Sequence, residues 1–157
     1  MSFTNDKDSD NYSTDKTGWE IIKDYIPNDK KIWSPFYCDG KQKEYFKEMG
    51  YDIIHEDEDF FLNNKGDIII DNPPYSKWFN ICFRLKELEK PFILIAPPRA
   101  FTTKKFQNLF KDHLQIIIPN KRPTFTKLNE ESIGYTPPFG IWYFCYKMNL
   151  EKDLIFI

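Results

Sequence analysis

Short apolar runs alternate with longer amphipathic segments along most of this chain. The apolar runs predict strands over residues 31–36, 51–55, 67–71, 91–96, 114–118 and 139–147. Apolar residues three and four positions apart predict helices over 14–26 and 41–49, another that begins at Ser76, and a last one from 102 or 103 to about 112. The helix after Ser76 is expected to bury Phe79, Phe83, Leu85 and Leu88, and residues 154–157 to form a short edge strand or a tail.

The order of these elements predicts the fold class. Strands alternate with helices over most of the chain, a pattern that produces parallel β–α units joined by right-handed crossovers. The last two strands are joined without a clear helix, which predicts an antiparallel strand near the C-terminal end. We therefore expect an α/β fold, a three-layer sandwich formed by one domain over 14–157. A flexible tail is expected over 1–13 and a long loop over 119–138.

Composition and charge narrow the function classes. The chain is 41% apolar and 18% aromatic, which indicates a globular protein, and its net charge of −2 does not favour a general nucleic-acid-binding surface. Three separated cysteines, Cys38, Cys82 and Cys145, fit a reducing compartment rather than a disulfide framework or zinc site. With two histidines, His55 and His113, no metal centre is expected. No apolar run reaches the length of a membrane span and no signal peptide is evident, so we expect a soluble, cytoplasmic protein.

The strand predicted over 67–71 ends in Asn72-Pro73-Pro74-Tyr75. One interpretation is an ordinary turn stiffened by prolines, since proline fixes φ and lacks an N–H. The same segment also holds an amide, a proline carbonyl and an aromatic ring at the carboxyl end of a strand. Open α/β sheets bind ligands at that edge, and the predicted strand ends at 34–40 and 55–60 lie there too.

These three strand ends together resemble the Rossmann-like, S-adenosylmethionine-dependent amino-methyltransferases. The family signature is Asp/Asn/Ser-Pro-Pro-Tyr/Phe/Trp, which Asn72-Pro73-Pro74-Tyr75 matches, and the resemblance spans about residues 12–147. It implies a three-layer α/β/α Rossmann-like methyltransferase fold and S-adenosylmethionine as cofactor. The cofactor-binding residues that it implies are Tyr12, Thr14, Ser34, Pro35, Phe36, Asp39, Gly40, Glu56 with Asp57 as an alternative, Asp59, Phe60 and Asn72.

Two positions depart from the family pattern. Cys38 stands where the family has a glycine, so its side chain would crowd the methionine moiety of the cofactor if the backbone there needs a positive φ. Ser34 stands where the family has an acidic residue, which removes an expected anchor. A catalytically inactive, nucleic-acid-binding or scaffold subunit is therefore an alternative.

The residue types of the motif suit methyl transfer to an amine. The lone pair of such an amine nitrogen is delocalised, so the amine is a poor nucleophile unless hydrogen-bond acceptors face its N–H groups. The Asn72 side-chain oxygen and the Pro73 carbonyl can accept its two N–H groups, and Tyr75 can stack on the acceptor ring. Asn72, Pro73, Pro74 and Tyr75 are thus the candidate catalytic residues, and neither a metal nor a covalent nucleophile is required.

The acceptor is predicted within the resemblance. Asparagine at the first position favours adenine N6 or a glutamine side chain over cytosine N4, and we expect DNA in preference to RNA, with a protein-glutamine N5 methyltransferase as an alternative. In the later loop, Lys121 and Arg122 can contact phosphate, and Phe125 either packs on the base or lies in the core. No separate target-recognition domain is evident, so specificity is expected from loops at 120–138, a homodimer or another partner. The Lys, Asn, Ile and Phe usage suggests an AT-rich genome, such as that of a virus.

Overall fold

The computed structural model describes residues 10–128 and 134–157 and shows an α/β fold. Its strands are β1 (Tyr12–Thr14), β2 (Ile32–Trp33), β3 (Ile53–Ile54), β4 (Ile68–Asp71), β5 (Phe92–Ala96), β6 (Leu114–Ile118), β7 (Phe125–Lys127), β8 (Trp142–Tyr146) and β9 (Leu154–Phe156). Its α-helices are α1 (Lys16–Glu20), α2 (Gln42–Glu48), α3 (Trp78–Leu88) and α4 (Lys104–Phe110). Short 3-10 turns cover Lys23–Tyr25, Tyr75–Lys77, Pro98–Phe101 and Lys111–His113.

The central sheet has the strand order β3-β2-β4-β5-β8-β6-β9 and is mostly parallel. β2 pairs in parallel with β3 and β4, β4 with β5, and β6 with β9. β8 lies antiparallel between β5 and β6, as the missing helix before it predicted. β9 adopts the first of its two predicted alternatives, an edge strand.

The sequence of β4 explains its place in the middle of this sheet. Ile68, Ile69 and Ile70 are each at most 2% exposed, which fits a strand covered on both faces. Ile69 packs in a cluster with residues of α3 and α4, such as Trp78 and Phe106. Ile68 and Ile70 pack on the other face in a cluster that includes Trp19 of α1.

A second, two-stranded sheet was not predicted. β1 and β7 pair antiparallel, with Tyr12 opposite Lys127 and Thr14 opposite Phe125. The flexible tail expected over 1–13 is therefore wrong for Tyr12 and Ser13, while residues 1–9 lie outside the described part of the chain. The loop expected over 119–138 likewise contains β7, and residues 129–133 of it lie outside the described part. Neither strand is long or alternating enough to be recognised before its partner is known.

Several predicted elements are shorter or face differently. The first helix ends at Glu20, and β2 covers only two of the six residues predicted as strand, so residues 34–40 form a loop. In α3, Phe83 is 47% exposed rather than buried, because Trp78, Ile81, Cys82 and Leu85 form the buried face. Among the described residues, no helix combines the length and apolar character needed to cross a membrane.

Candidate active site

An open cavity of about 660 Å³ lies at the carboxyl ends of β2, β3 and β4. Small-molecule sites typically occupy about 300–1,000 Å³ and favour this edge of an α/β sheet. The cavity is lined by residues of the loop after β2, the acidic segment after β3, the motif after β4, the start of α3 and the segment at β1. These residues are Asp10, Tyr12, Pro35, Phe36, Tyr37, Cys38, Asp57, Glu58, Asp59, Phe60, Phe61, Asn72, Pro73, Pro74, Lys77 and Ile81.

The Asn72 side chain is held from two sides at the edge of this cavity. Its Nδ2 donates to Thr14 Oγ1 at 3.1 Å, and its Oδ1 lies 2.8 Å from the Tyr75 hydroxyl. The same hydroxyl lies 2.8 Å from the carbonyl oxygen of Ile95, so its single proton can be donated to either acceptor. Since an amide oxygen accepts two hydrogen bonds, Asn72 Oδ1 keeps capacity for one further donor. Burial raises the pKa of Tyr75, which keeps the hydroxyl protonated.

The loop after β2 turns sharply through two residues of positive φ. Gly40 has a φ of +78°, which strains other residues, and a Cβ there would lie 2.6 Å from the Tyr37 hydroxyl oxygen, so the Tyr37 ring would have to move. Cys38 has a φ of 53°, a left-handed conformation that a non-glycine residue adopts at a cost of about 1–2 kcal/mol. Its Sγ lies 3.7 Å from the Tyr12 carbonyl oxygen. The backbone at Cys38 thus has the conformation for which the family's glycine is suited.

The Cys38 thiol is not activated. Although Cys38 is exposed, partial burial of its thiol, followed by the nearby carboxylates of Asp39 and Asp71, raises the pKa of Cys38 to about 11. The thiol is therefore protonated at neutral pH and acts in the loop as a small polar side chain.

His55 supports the same loop from below. It is 2% exposed, its Nδ1 lies 2.8 Å from the Ser34 carbonyl oxygen, and its ring stacks on Tyr37 at 5.0 Å between centroids. Burial lowers the pKa of His55, so the neutral ring is the relevant form at neutral pH. These contacts give His55 a structural place at the strand end.

The acidic segment after β3 forms the opposite wall. Phe60 is 4% exposed and packs on Phe36 and Trp33, with ring centroids 5.0 and 5.6 Å away. Asp59 Oδ1 accepts a hydrogen bond from Phe61 N at 2.8 Å, which fixes the turn. The wall is therefore aromatic at its base and carries carboxylates above.

Some predicted site residues lie behind or beside the cavity and do not line it. They are Thr14, Ser34, Asp39, Gly40, Glu56 and Tyr75. Thr14 and Tyr75 contact Asn72 directly, and Ser34 is fully buried beneath the loop. Asp39 Oδ1 accepts from Lys41 N at 3.1 Å, and Glu56 is exposed.

The predicted acceptor-binding loop is not part of the cavity wall. Phe125 is 5% exposed and packs in the core, which was the second of its two predicted places. Arg122 Nη1 donates to the Pro137 carbonyl oxygen at 3.1 Å, and Lys121 is exposed.

Sequence reasoning missed several residues at the site. The Asp10 carboxylate accepts hydrogen bonds from the Ser76 backbone N–H, at 3.2 Å, and from the Ser76 hydroxyl. These bonds connect the segment before β1 to the start of the 3-10 turn at Tyr75–Lys77. Lys77 supplies a cation to a cavity otherwise rich in carboxylates. Asp71 lies under the cavity and is 1% exposed. The sequence feature that could have identified Asp71 is an acidic residue at the end of an otherwise apolar strand, directly before Asn72.

The fold and the cavity define an α/β protein with an open cavity beside an Asn-Pro-Pro-Tyr segment. No known protein-family model matches the chain. The chain is similar to the type II methyltransferase M.EcoRI of Escherichia coli, at 29% identity over 89 residues. That match covers 47% of this chain and 27% of the length of M.EcoRI.

Proposed function

We propose that this protein transfers a methyl group from S-adenosylmethionine to the N6 amine of adenine in DNA, with RNA as the second choice. The observation that carries the proposal is the Asn72 amide, held between Thr14 and Tyr75 at the edge of the cavity. The similarity to the type II methyltransferase M.EcoRI supports methyl transfer. We further propose a three-layer α/β/α Rossmann-like methyltransferase domain that includes β1.

The residues around the cavity fit S-adenosylmethionine. The cofactor combines an adenine ring and ribose hydroxyls with a sulfonium cation and an amino-acid end. Phe36 and Phe60 offer apolar surface to the ring, Asp57 and Asp59 offer acceptors to hydroxyl and ammonium groups, and Lys77 offers a cation to the carboxylate. The net acidity of the wall also suits the positive sulfur.

When bound, the cofactor supplies an electrophilic methyl group on a positively charged sulfur. The remaining lone-pair position of Asn72 Oδ1 and the Pro73 carbonyl would accept the amine's N–H groups. Their dipoles then face a nitrogen that becomes positive during transfer, and such preorganised electrostatics are worth several kcal/mol in comparable sites. Pro73 and Pro74 fix the backbone, so these acceptors need little rearrangement. The Tyr75 hydroxyl orients Asn72, and its ring is proposed to stack on the adenine.

Recognition of the nucleic acid is proposed to use exposed cations and a partner. Lys121 and Arg122 remain candidates for phosphate contacts because both are exposed. Since the net charge is −2, a homodimer or a second protein would have to supply further affinity and sequence specificity. An adenine that is flipped from a duplex costs unstacking energy, so unpaired or single-stranded targets should be methylated faster.

The proposal is tested by transfer from labelled S-adenosylmethionine to matched oligonucleotides. Adenine-containing DNA should accept label, whereas the same DNA with N6-methyladenine at every adenine should not. RNA and a protein extract are tested as the other classes of acceptor. If label appears on a glutamine side chain instead of on DNA, the substrate is a protein. Asn72→Ala should lower transfer by about 100-fold or more, and Asn80→Ala, an exposed change on α3, should leave it unchanged. Absence of label in DNA under all conditions would reject the proposal.

The backbone at Cys38 favours a second candidate, an inactive subunit. A side chain at a φ of 53° in the loop beside the cavity can reduce the space for the methionine moiety. Calorimetry with S-adenosylmethionine separates the two functions, because an inactive subunit should show no heat of binding. Cys38→Gly should then restore binding if the side chain is the obstacle.

A further inference from the structure

The buried carboxylate of Asp71 accepts hydrogen bonds from two different loops of the site. Its Oδ2 accepts from Phe36 N at 2.7 Å and from Ser34 Oγ at 2.8 Å, both in the loop after β2. Its Oδ1 accepts from Asn72 N at 2.7 Å, the backbone of the candidate catalytic residue. One carboxylate therefore connects the loop beside the cavity to the motif that holds the acceptor.

The donors around Asp71 are themselves fixed. Gln42 Nε2 donates to Ser34 Oγ at 2.8 Å and to the Ile70 carbonyl oxygen at 3.1 Å. Because Ser34 Oγ already accepts from Gln42, its proton is directed to Asp71. The hydrogen bonds thus run in one direction and end at the carboxylate. Loss of the carboxylate would remove the acceptor of these partly buried N–H groups, and a buried donor without an acceptor is costly.

We propose that Asp71 is a positioning residue that holds the loop after β2 and Asn72 at a fixed separation, so that the cofactor site and the acceptor site form together. Asp71 does not line the cavity and acts through Phe36 and Asn72. This inference rests on the proposed function, since it assigns the two loops to cofactor and acceptor. Burial raises the pKa of Asp71 to about 7, so the ionised form prevails above about pH 7. In that form its bonds to backbone N–H groups are charge-assisted, which makes them shorter and stronger than neutral ones.

The chain contains a matched reference for this role at the other end of the same strand. Asp67 immediately precedes β4, and its Oδ2 accepts a hydrogen bond from Lys31 N at 2.9 Å. Asp67 is exposed and lies away from the cavity. Both aspartates therefore connect β4 to a backbone N–H beside β2, but only Asp71 does so at the site. A role confined to strand pairing predicts similar effects of changing either residue.

Calorimetric titration with S-adenosylmethionine tests the inference without the transfer reaction. Asp71→Asn keeps the size of the side chain but turns an NH₂ group towards a donor. We expect it to weaken cofactor binding by about tenfold or more. Asp67→Asn should change binding by less than about twofold. Equal binding by Asp71→Asn and the wild type would overturn the inference.

An exchange of the two facing side chains provides a rescue. Ser34 Oγ and Asp71 Oδ2 are 2.8 Å apart, so Ser34→Asp with Asp71→Ser places a carboxylate in the same space from the neighbouring loop. The double variant should bind the cofactor more tightly than Asp71→Ser alone. If it binds no better, although circular dichroism shows both to be folded, the carboxylate is not the positioning element.

Amide hydrogen exchange in the wild type tests the contact without any variant. The N–H groups of Phe36 and Asn72 should be protected, and rapid exchange of either amide would overturn the inference. If the wild-type protein neither binds S-adenosylmethionine nor transfers a methyl group, the proposed function is rejected. Exchange at the Phe36 and Asn72 amides would still test their hydrogen bonds to Asp71. The two failures are therefore distinguishable.

Discussion

Two neighbouring strands, β4 and β5, each run into a proline pair, but the side chains that lead into the two pairs differ in polarity. In the register of the sheet Asp71 lies opposite Leu94. Pro74 and Pro97 are each three residues further on, each precedes a 3-10 turn, and their φ angles are −69° and −70°. Both strand exits therefore place a proline of nearly the same φ at the same register position, directly before a 3-10 turn.

The side chains at corresponding register positions of the two exits differ. The β4 exit has Asp71 and Asn72 where the β5 exit has Leu94 and Ile95. Asp71 and Leu94 are both 1% exposed, so burial alone does not distinguish them. The β5 exit only completes the core, whereas the β4 exit buries a carboxylate and presents an amide. A proline pair thus fixes geometry, and the residues before it decide whether the exit can take part in chemistry.

The apolar exit also supports the polar one. The Tyr75 hydroxyl reaches from the β4 exit to the Ile95 carbonyl oxygen of β5. Behind it, Trp78 of α3 stacks on Phe106 of α4 at 5.8 Å between centroids. The β5 exit therefore acts as a rigid base against which the motif is held.

The largest expected difference between the exits concerns Asn72. Asn72→Ala should lower the rate of methyl transfer by about 100-fold or more, because it removes an acceptor aimed at the developing charge. Ile95→Val, at the corresponding position of β5, should lower the free energy of unfolding by only about 1 kcal/mol and leave the transfer rate unchanged. Single-turnover assays and urea denaturation measure the two effects. Similar losses of transfer in both variants would show that the exits do not differ in function.

The second expected difference is in the dependence of stability on pH. Burial raises the pKa of Asp71 from 3.8 to about 7, although hydrogen bonds from Phe36, Ser34 and Asn72 act to lower it. Between about pH 4 and pH 7 the folded protein keeps a proton that the unfolded chain has released. Rising pH should therefore lower the free energy of unfolding, by at most about 1.4 kcal/mol per pH unit, and this contribution is lost above pH 7. Leu94 in β5 contributes nothing of this kind.

A difference measurement isolates this effect. Burial lowers the pKa of His55 from 6.5, so the unfolded chain takes up a proton there before the folded protein as the pH falls. His55 therefore makes the free energy of unfolding rise with pH, which is opposite to the effect of Asp71. The Cys38 thiol, with its pKa of about 11, titrates outside the window. Urea denaturation of the wild type and Asp71→Asn across the window should show a stability difference that declines as pH rises. A constant difference would contradict the assignment to Asp71.

A smaller effect is expected from the bridge between the exits. Tyr75→Phe keeps the ring but leaves the Ile95 carbonyl oxygen and Asn72 Oδ1 without this donor, and it should lower the free energy of unfolding by about 1–2 kcal/mol. Transfer should fall less than in Asn72→Ala, since the proposed acceptors remain. Thermal denaturation and initial rates test this order. A fall in transfer as large as that of Asn72→Ala would give the hydroxyl a direct role.

The smallest effects are expected at the prolines themselves. Pro74→Ala and Pro97→Ala should each lower the free energy of unfolding by about 1 kcal/mol or less, through the freedom gained by the unfolded chain. Only Pro74→Ala should also slow transfer, by a few fold. Parallel denaturation and rate measurements on the pair provide the comparison. A similar slowing by Pro97→Ala would place the β5 exit in the site.

Local sequence was sufficient for the elements that carry this comparison. The three isoleucines before Asp71 predicted a buried strand, and the proline pairs predicted where β4 and β5 end. Polar residues at three strand ends also predicted a cavity between them, because carboxyl ends of parallel strands share an edge.

Contacts between distant parts of the chain were not predictable in this way. The pairing of β1 with β7 joins segments more than a hundred residues apart, as Thr14 opposite Phe125 shows. It buries Phe125, which the sequence alone left open between core and base. The bond from Ser34 to Asp71 likewise depends on which strands become neighbours, and side-chain patterns along one strand do not contain that information.

The position of Cys38 gives the protein a chemical reporter. Cys38 is exposed and lines the cavity, whereas Cys82 and Cys145 are buried. A maleimide should therefore attach to Cys38 alone, and slowly near neutral pH, because only the thiolate reacts. A molecule in the cavity should shield this sulfur, so the rate of alkylation, followed by mass spectrometry, measures occupancy without a label on the proposed cofactor.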